Sequence, residues 1–219
     1  MFLHQKAMIS KLHYISTEKK DKNHLLHIQE ACEAGCRWIQ LRAKNIETEE
    51  YIALAKKAKV ITDLHNAILL INDRPDVAKA VNADGVHVGK EDILPSEARA
   101  ILGEGKIVGG TANTIEDIQR LYEFGVDYIG LGPFRFTQTK KKLSPILGLE
   151  GYLSLLDECK KRGIDTPIIA IGGIETKDVE SILATGIYGI AVSGLIANAE
   201  HPDKVVLALE QELQHQSTI

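Results

Sequence analysis

Apolar runs recur eight times at regular intervals, and this repetition limits the possible folds more than any other feature of the chain. Most are continuous stretches of Val, Ile and Leu, the pattern of parallel strands that are buried on both faces. Amphipathic segments such as 49–64, 114–124, 151–161 and 177–185 separate them, and several of these segments end at a glycine. The predicted strands are 12–15, 38–41, 67–71, 85–88, 106–109, 128–131, 167–171 and 189–192.

Eight strand–helix units in 219 residues predict an α/β fold, namely a (β/α)8 TIM barrel formed by a single domain. We place the barrel at residues 11–214, an N-terminal lead-in at 1–10 and a C-terminal tail at 215–219. The competing fold is a doubly wound open sheet, which normally carries a glycine-rich turn after its first strand. Residues 16–20 read Ser-Thr-Glu-Lys-Lys, so the barrel is favoured.

The composition and net charge of the chain limit the kinds of molecule that the protein is expected to bind. A formal net charge of -4 argues against a nucleic-acid-binding protein, and no apolar run approaches the length of a membrane span. The three cysteines are an odd number without a zinc-ligand pattern, which indicates a reducing compartment and a cytoplasmic protein. We therefore expect small-molecule substrates, no nucleic acid and no membrane, and we leave a homodimer open.

Two carboxylates follow neighbouring predicted strands. Asp73 comes just after the third strand and Asp92 comes shortly after the fourth, nineteen positions later. If these strands are parallel neighbours, both acids lie at the same edge of the barrel, where they could hold Mg²⁺. Each acid alone could instead cap the next helix, because Pro75 and Pro95 mark helix starts just beyond them. Their occurrence in adjacent units favours the metal site.

A basic segment follows the second predicted strand. Gln40, Arg42 and Lys44 alternate, so their side chains share one side of an extended segment. Guanidinium and ammonium groups suit phosphate oxygens, although a solvated charge cluster is the alternative for this segment by itself. With Asn72 and the two carboxylates, this part of the barrel is suited to a diphosphate bound with Mg²⁺.

The remaining strand ends carry hydroxyls and glycines. Thr111 follows a glycine pair near the fifth strand, and residues 137–140 lie in an unusually long loop after the sixth. Gly173 and the pair Ser193-Gly194 lie in turns after the seventh and eighth strands, where such barrels commonly bind a monophosphate. His87 lies inside the fourth predicted strand, where we expect a core histidine rather than a catalyst.

The ordered set of these motifs resembles the thiamine phosphate synthase family. The similarity extends from about residue 12 to residue 197 and depends on the order and spacing of several motifs together. These motifs are Gln40-Leu41-Arg42-Ala43-Lys44, Asn72-Asp73-Arg74, Gly85-Val86-His87-Val88-Gly89-Lys90-Glu91-Asp92, Gly132-Pro133, Thr137-Gln138-Thr139-Lys140 and Ile171-Gly172-Gly173-Ile174.

The resemblance implies a Mg²⁺-dependent transferase that joins a hydroxymethylpyrimidine diphosphate to a thiazole phosphate, or to its carboxylated form. Thiamine phosphate forms and pyrophosphate leaves. The implied contacts of the pyrimidine diphosphate are Gln40, Leu41, Arg42, Ala43, Lys44, Asn72, Thr111 and Lys140. Arg42, Lys44 and Lys140 would stabilise the departing pyrophosphate, and Asp73 and Asp92 would hold Mg²⁺. The implied contacts of the thiazole phosphate are Thr137, Gln138, Thr139, Gly173, Ser193 and Gly194.

The chain departs from the family pattern at two places. The fifth-strand segment has Thr111 and Asn113 where the family often has Ser and then His, and the motif around Ser193 is shifted by one position. Two alternatives remain: a thiazole tautomerase of the same barrel family, and a non-catalytic barrel that binds a phosphorylated metabolite. A tautomerase has no diphosphate substrate, so the complete diphosphate set favours the synthase.

Overall fold

Eight parallel strands close into a barrel in the computed structural model, which describes residues 9–19, 22–136 and 145–215. Each strand pairs with the next one along the chain, and the eighth pairs with the first. The predicted (β/α)8 barrel is therefore confirmed. The strands are β1 (Leu12–Ile15), β2 (Trp38–Leu41), β3 (Ile68–Asn72), β4 (Gly85–Val88), β5 (Ile107–Ala112), β6 (Tyr128–Leu131), β7 (Ile168–Ile171) and β8 (Gly189–Val192).

Helices follow the strands and surround the barrel. The segment predicted as a helix over 177–185 begins instead with a 3-10 turn, Thr176–Asp178, before its α-helix starts. No helix in the described part of the chain is long and apolar enough to cross a membrane. The helices are α1 (His24–Glu33), α2 (Thr48–Leu64), α3 (Pro75–Ala80), α4 (Pro95–Leu102), α5 (Ile115–Glu123), α6 (Gly148–Lys161), α7 (Val179–Ala184), α8 (Gly194–Ala197) and α9 (Pro202–His215).

The strands separate two apolar layers. Trp38, Leu70, Tyr128 and Ile169 belong to a cluster that fills the barrel interior, and a larger cluster lies between the strands and the helices. Side chains alternate between these layers along each strand, so both faces of the strand are buried. This arrangement explains why the strand sequences are continuous apolar runs rather than alternating ones.

Two strand boundaries differ from the prediction at positions that matter for the site. The third strand was predicted to end at Ile71, but β3 continues through Asn72. The fifth was predicted to end at Gly109, but β5 continues to Ala112 and includes Thr111. Gly109 is needed within the strand because a Cβ there would lie 2.2 Å from the ring of Tyr128. The glycine makes space for an aromatic ring inside the barrel rather than marking a turn.

Candidate active site

Asp73 lies just beyond the end of β3 in a backbone conformation that non-glycine residues seldom adopt. Its φ is 64°, in the left-handed region that Asp and Asn tolerate better than most residues. Its N–H donates to the carbonyl of His87 over 2.8 Å, which extends the pairing of β3 with β4 by one residue. The chain thus holds the Asp73 side chain at the carboxyl end of the barrel, although that backbone conformation is intrinsically unfavourable.

The carboxyl groups of Asp73 and Asp92 lie together. Burial raises the pKa of Asp73 to about 6, and a hydrogen bond and charge repulsion from Asp92 add to the effect. Asp92 is oriented by the N–H of Gly89, which donates to its Oδ2 over 2.8 Å. Lys44 opposes the shift, since its Nζ lies 3.9 Å from Oδ2 of Asp73. Two acids held this close to each other are a site that favours a bound cation.

The alternative role of these acids as helix caps is wrong. Helix α3 has Arg74 at its N-cap and α4 has Leu94, and neither cap position is occupied by one of the two acids. Neither N-cap residue makes a side-chain capping bond to its helix. The carboxylates therefore have no capping task that would account for their proximity.

The donor set fits Mg²⁺ bound together with a phosphorylated substrate. Among the residues that the structure describes, no three or more His, Cys, Asp or Glu side chains form a complete protein cage for a metal. Mg²⁺ commonly takes one or two protein carboxylates and completes its coordination with waters and substrate phosphates. The pair Asp73 and Asp92 matches that requirement.

The predicted basic segment extends from β2 beside this carboxylate pair. Arg42 is half-buried, which lowers its pKa, while the nearby Asp73 carboxylate favours its charged form. Gln40 is also buried, and its Nε2 donates to Oδ1 of Asn72 over 2.7 Å. The alternation predicted for this segment thus brings its polar side chains towards the end of β3.

Leu41 and Ala43, which were also predicted to contact the diphosphate, pack in the apolar layer between strands and helices. The carbonyl of Leu41 accepts a hydrogen bond of 2.8 Å from the Tyr51 hydroxyl, which holds the end of β2 against α2. A ligand could therefore use only the backbone of these two residues, because their side chains are buried elsewhere.

A hydrogen-bonded chain leads from the barrel interior to Thr111. The Tyr128 hydroxyl lies 2.9 Å from Nδ1 of His87, and Nε2 of His87 lies 2.9 Å from Oγ1 of Thr111. The prediction that His87 is a core histidine is confirmed, because it is buried within β4. Asn113 is buried as well, and its Nδ2 donates to the carbonyl of Gly132 after β6.

A cavity of about 640 Å³ opens at the same end of the barrel. Its lining includes residues that follow β1, β2, β7 and β8, among them Arg42, Gly173, Ser193 and Gly194. Val192, the last residue of β8, borders the cavity too, so the structure brings this residue and the predicted pair Ser193-Gly194 to the cavity. Arg42 connects the carboxylate side to this cavity, since it borders the cavity and interacts with Asp73.

Arg135, in the segment after β6, fixes the turn that follows β7. Gly172 and Gly173 have φ values of 98° and 71°, which residues other than glycine rarely adopt. Arg135 donates from Nη1 to the carbonyl of Gly173 over 2.6 Å, and its guanidinium pairs with both carboxylate oxygens of Asp178. The glycine turn is therefore held in one position against the cavity.

The predicted residues Thr137, Gln138, Thr139 and Lys140 lie outside the described residues.

Several cavity residues were missed by the sequence reasoning. Ser16, Thr17 and Lys19 follow β1, and Asn198 follows α8, and all four border the cavity. The first three lie in the segment that follows a strand, which is where functional residues were sought for strands β2 to β8 but not for β1. Applying that same rule to β1 would have found them, whereas nothing in the sequence singles out Asn198.

A closed barrel of eight parallel strands, with carboxylates, cations and glycine turns gathered at the carboxyl ends of its strands, defines a (β/α)8 barrel enzyme that acts on phosphorylated ligands. The model of one protein family, described as thiamine monophosphate synthase, matches residues 12–196. The chain belongs to this family, and its class is accordingly that of a transferase.

Individual relatives agree with this assignment. The chain is similar to a thiamine-phosphate synthase of Flavobacterium psychrophilum, with 48% identity over 94% of this chain and 100% of the relative. It is also similar to one of Bacteroides thetaiotaomicron, with 52% identity over 78% of this chain and 82% of the relative. A solved thiamine phosphate pyrophosphorylase from Pyrococcus furiosus superposes with a TM-score of 0.81, at 31% identity, over 97% of this chain and 98% of that one.

Proposed function

We propose that the protein joins 4-amino-2-methyl-5-hydroxymethylpyrimidine diphosphate to 4-methyl-5-(2-hydroxyethyl)thiazole phosphate, or to its carboxylated form, and releases pyrophosphate, together with CO2 when the carboxylated form reacts. In this reaction the bond from the pyrimidine methylene carbon to the diphosphate oxygen breaks, and its electron pair leaves with pyrophosphate. The lone pair of the thiazole nitrogen forms the new carbon–nitrogen bond. The observation that carries this proposal is the Asp73–Asp92 carboxylate pair with Lys44 beside it.

In this proposal Asp73 and Asp92 hold a Mg²⁺ ion, which when bound acts as a Lewis acid towards the diphosphate oxygens. Binding of the cation offsets the repulsion that raises the pKa of Asp73. The left-handed backbone at Asp73 and the Gly89 N–H that orients Asp92 keep both side chains ready for that ligand.

The chain's own cations contribute separately to the departure of pyrophosphate. Arg42 and Lys44 lie beside the carboxylate pair, where a guanidinium can bind phosphate oxygens with two donors and an ammonium supplies a mobile charge. Lys140 is proposed for the same role. These charges stabilise negative charge that develops on the leaving group, and the reaction needs no protein nucleophile.

The cavity, which lies on the other side of Arg42 from the carboxylate pair, is proposed to bind the thiazole phosphate. Gly173, Ser193 and Gly194 border the cavity, and Ser193 makes no side-chain capping bond to α8, so its hydroxyl is available to a ligand. Thr137, Gln138 and Thr139 are proposed to complete this subsite. Arg42 lies between the two sides, so the pyrimidine carbon and the thiazole nitrogen would meet near it. Positioning of the two substrates is then a major part of catalysis.

The test replaces each proposed metal ligand and measures thiamine phosphate formation against Mg²⁺ concentration. Asparagine is the suitable replacement at Asp73, because it tolerates the φ of 64°. We expect Asp73→Asn and Asp92→Asn each to lower Mg²⁺-dependent kcat/KM more than about 100-fold. Asp76→Asn is the matched control, since Asp76 lies in the adjacent helix α3 and pairs with Arg74 at the surface.

Circular dichroism establishes that the variants are folded. Undiminished Mg²⁺-dependent turnover by either the Asp73 or the Asp92 variant would contradict the metal assignment. Isomerisation of a thiazole phosphate without any pyrophosphate release would instead identify a tautomerase. Binding of a phosphorylated ligand without turnover would identify a sensor.

A further inference from the structure

Ser16 is a buried residue that no part of the proposed mechanism uses. It lies directly after β1, is 1% exposed, and borders the cavity. Its backbone N–H donates to the carbonyl of Gln40 over 2.9 Å, and its Oγ accepts a bond of 3.1 Å from the N–H of Arg42. Ser16 therefore binds the β2 chain on both sides of Leu41.

These two bonds continue the pairing of β1 with β2, and the second of them lies past the end of both strands. The last residue pair in the β1–β2 register is Ile15 with Gln40. Beyond that point the Ser16 hydroxyl accepts the Arg42 N–H, as a backbone carbonyl would in a continuing parallel ladder. The segment that carries two of the proposed cations, Arg42 and Lys44, is thus joined to the end of β1 through a side-chain oxygen.

His24 determines which way that hydroxyl points. It is the first residue of α1, is buried, and places its Nδ1 2.9 Å from Oγ of Ser16. Burial lowers the pKa of His24, which keeps the ring neutral. In the neutral tautomer that carries its proton on Nε2, Nδ1 accepts a hydrogen bond from the Ser16 hydroxyl, and the serine oxygen presents a lone pair to the Arg42 N–H. Both polar partners of the hydroxyl are then satisfied.

We propose that His24 and Ser16 form a positioning pair that holds the Arg42–Lys44 segment in its diphosphate-binding conformation. This inference rests on the proposed function, because it concerns how tightly the diphosphate substrate binds. The pair takes no part in the reaction itself. Without the hydroxyl, the Arg42 N–H loses its partner and the segment is free to move away from the carboxylate pair. Ser16 also borders the cavity, but it holds the segment through its bonds to Gln40 and Arg42, so we expect its loss to weaken diphosphate binding much more than thiazole phosphate binding.

The experiment measures binding of inorganic pyrophosphate with Mg²⁺ by isothermal titration, together with the KM of each substrate. We expect Ser16→Ala to raise the Kd of pyrophosphate and the KM of the pyrimidine diphosphate by roughly five- to twentyfold. The KM of the thiazole phosphate should stay within about twofold of wild type. Ser10→Ala is the matched control, since the Ser10 hydroxyl bonds to Leu12 at the opposite end of β1.

Replacements of His24 separate positioning from packing. His24→Leu fills the same space without an acceptor and should reproduce the effect of Ser16→Ala. His24→Asn retains a polar atom near the Nδ1 position and should recover most of the pyrophosphate affinity. The asparagine variant also keeps the test informative if the leucine variant does not fold.

The possible results distinguish this inference from the proposed function. A wild-type protein that neither binds pyrophosphate with Mg²⁺ nor makes thiamine phosphate would refute the proposed function itself. If wild type is active but Ser16→Ala binds pyrophosphate as tightly as wild type does, the positioning role is refuted. An equal rise in the KM of both substrates, or no difference between His24→Leu and His24→Asn, would also overturn it by indicating a general structural role.

Discussion

Replacing Asp73 with asparagine should make the metal-free protein more stable while it removes activity. The Asp73 carboxyl has a pKa of about 6 in the folded protein and an ordinary value of 3.8. Each pKa unit corresponds to about 1.36 kcal/mol, so ionised Asp73 lowers the free energy of unfolding by at most about 3 kcal/mol. The side chain is 25% exposed, so solvent screens the repulsion only in part.

The sign of the effect follows from proton binding. Below about pH 3.8 the carboxyl is protonated in both states and contributes nothing, and above about pH 6 it is ionised in both. Between these values the folded state binds more protons, so this group lowers the stability of the wild type as the pH rises. The advantage of Asp73→Asn should therefore be absent at pH 3.5 and complete at pH 8.

The assay is urea or thermal unfolding in EDTA at a series of pH values. At pH 8 we expect the Tm of Asp73→Asn to exceed that of wild type by up to about 10 °C. Asp76→Asn should show no such gain, because a hydrogen bond from Arg74 lowers the pKa of Asp76 and its charge is favourable. Added Mg²⁺ should raise the wild-type Tm and reduce the difference. An Asp73→Asn protein no more stable than wild type at pH 8 would refute the idea of a strained carboxylate pair.

Two further substitutions test the barrel interior and the glycine turn. Tyr128→Phe removes the hydroxyl bonded to His87 and should lower the free energy of unfolding by about 1 kcal/mol, with a rise of a few fold in the KM of the pyrimidine diphosphate. Denaturant unfolding and steady-state kinetics check this, and an unchanged stability would mean that the bond contributes little. Gly172→Ala forces a Cβ to within 2.9 Å of Pro133 at a φ of 98°, and should raise the KM of the thiazole phosphate at least about tenfold. Gly105→Ala is its control, because Gly105 also has a positive φ but has open space around it; equal effects of the two changes on KM would contradict the proposed subsite.

The barrel could be predicted from the sequence because strand burial on both faces leaves a strong local pattern. The prediction was less accurate where a glycine had a tertiary role, as at Gly109. In the sequence that residue suggests the end of a strand, but its absent side chain accommodates the Tyr128 ring. The need for this space arises only when β5 and β6 are neighbours, so no local pattern reveals it.

For the site, the position of a residue relative to its strand carried most of the information. Asp73 and Asp92 could be placed at one edge of the barrel, but only the structure excludes the capping role, because helix boundaries depend on backbone geometry. The pairing of Ser16 with His24 could not be predicted, since His24 lies at the start of the next helix and joins Ser16 only through the fold.

We propose that the carboxylate pair and its neighbouring cations form the diphosphate half of a two-substrate site. Pyrophosphate release by the wild-type protein, measured with both substrates in the presence of Mg²⁺ and again in EDTA, tests it most directly. We expect one pyrophosphate to be released for each thiamine phosphate formed, with no release in EDTA or when either substrate is omitted. Turnover that continues at the same rate in EDTA, or thiamine phosphate formed without pyrophosphate, would contradict it.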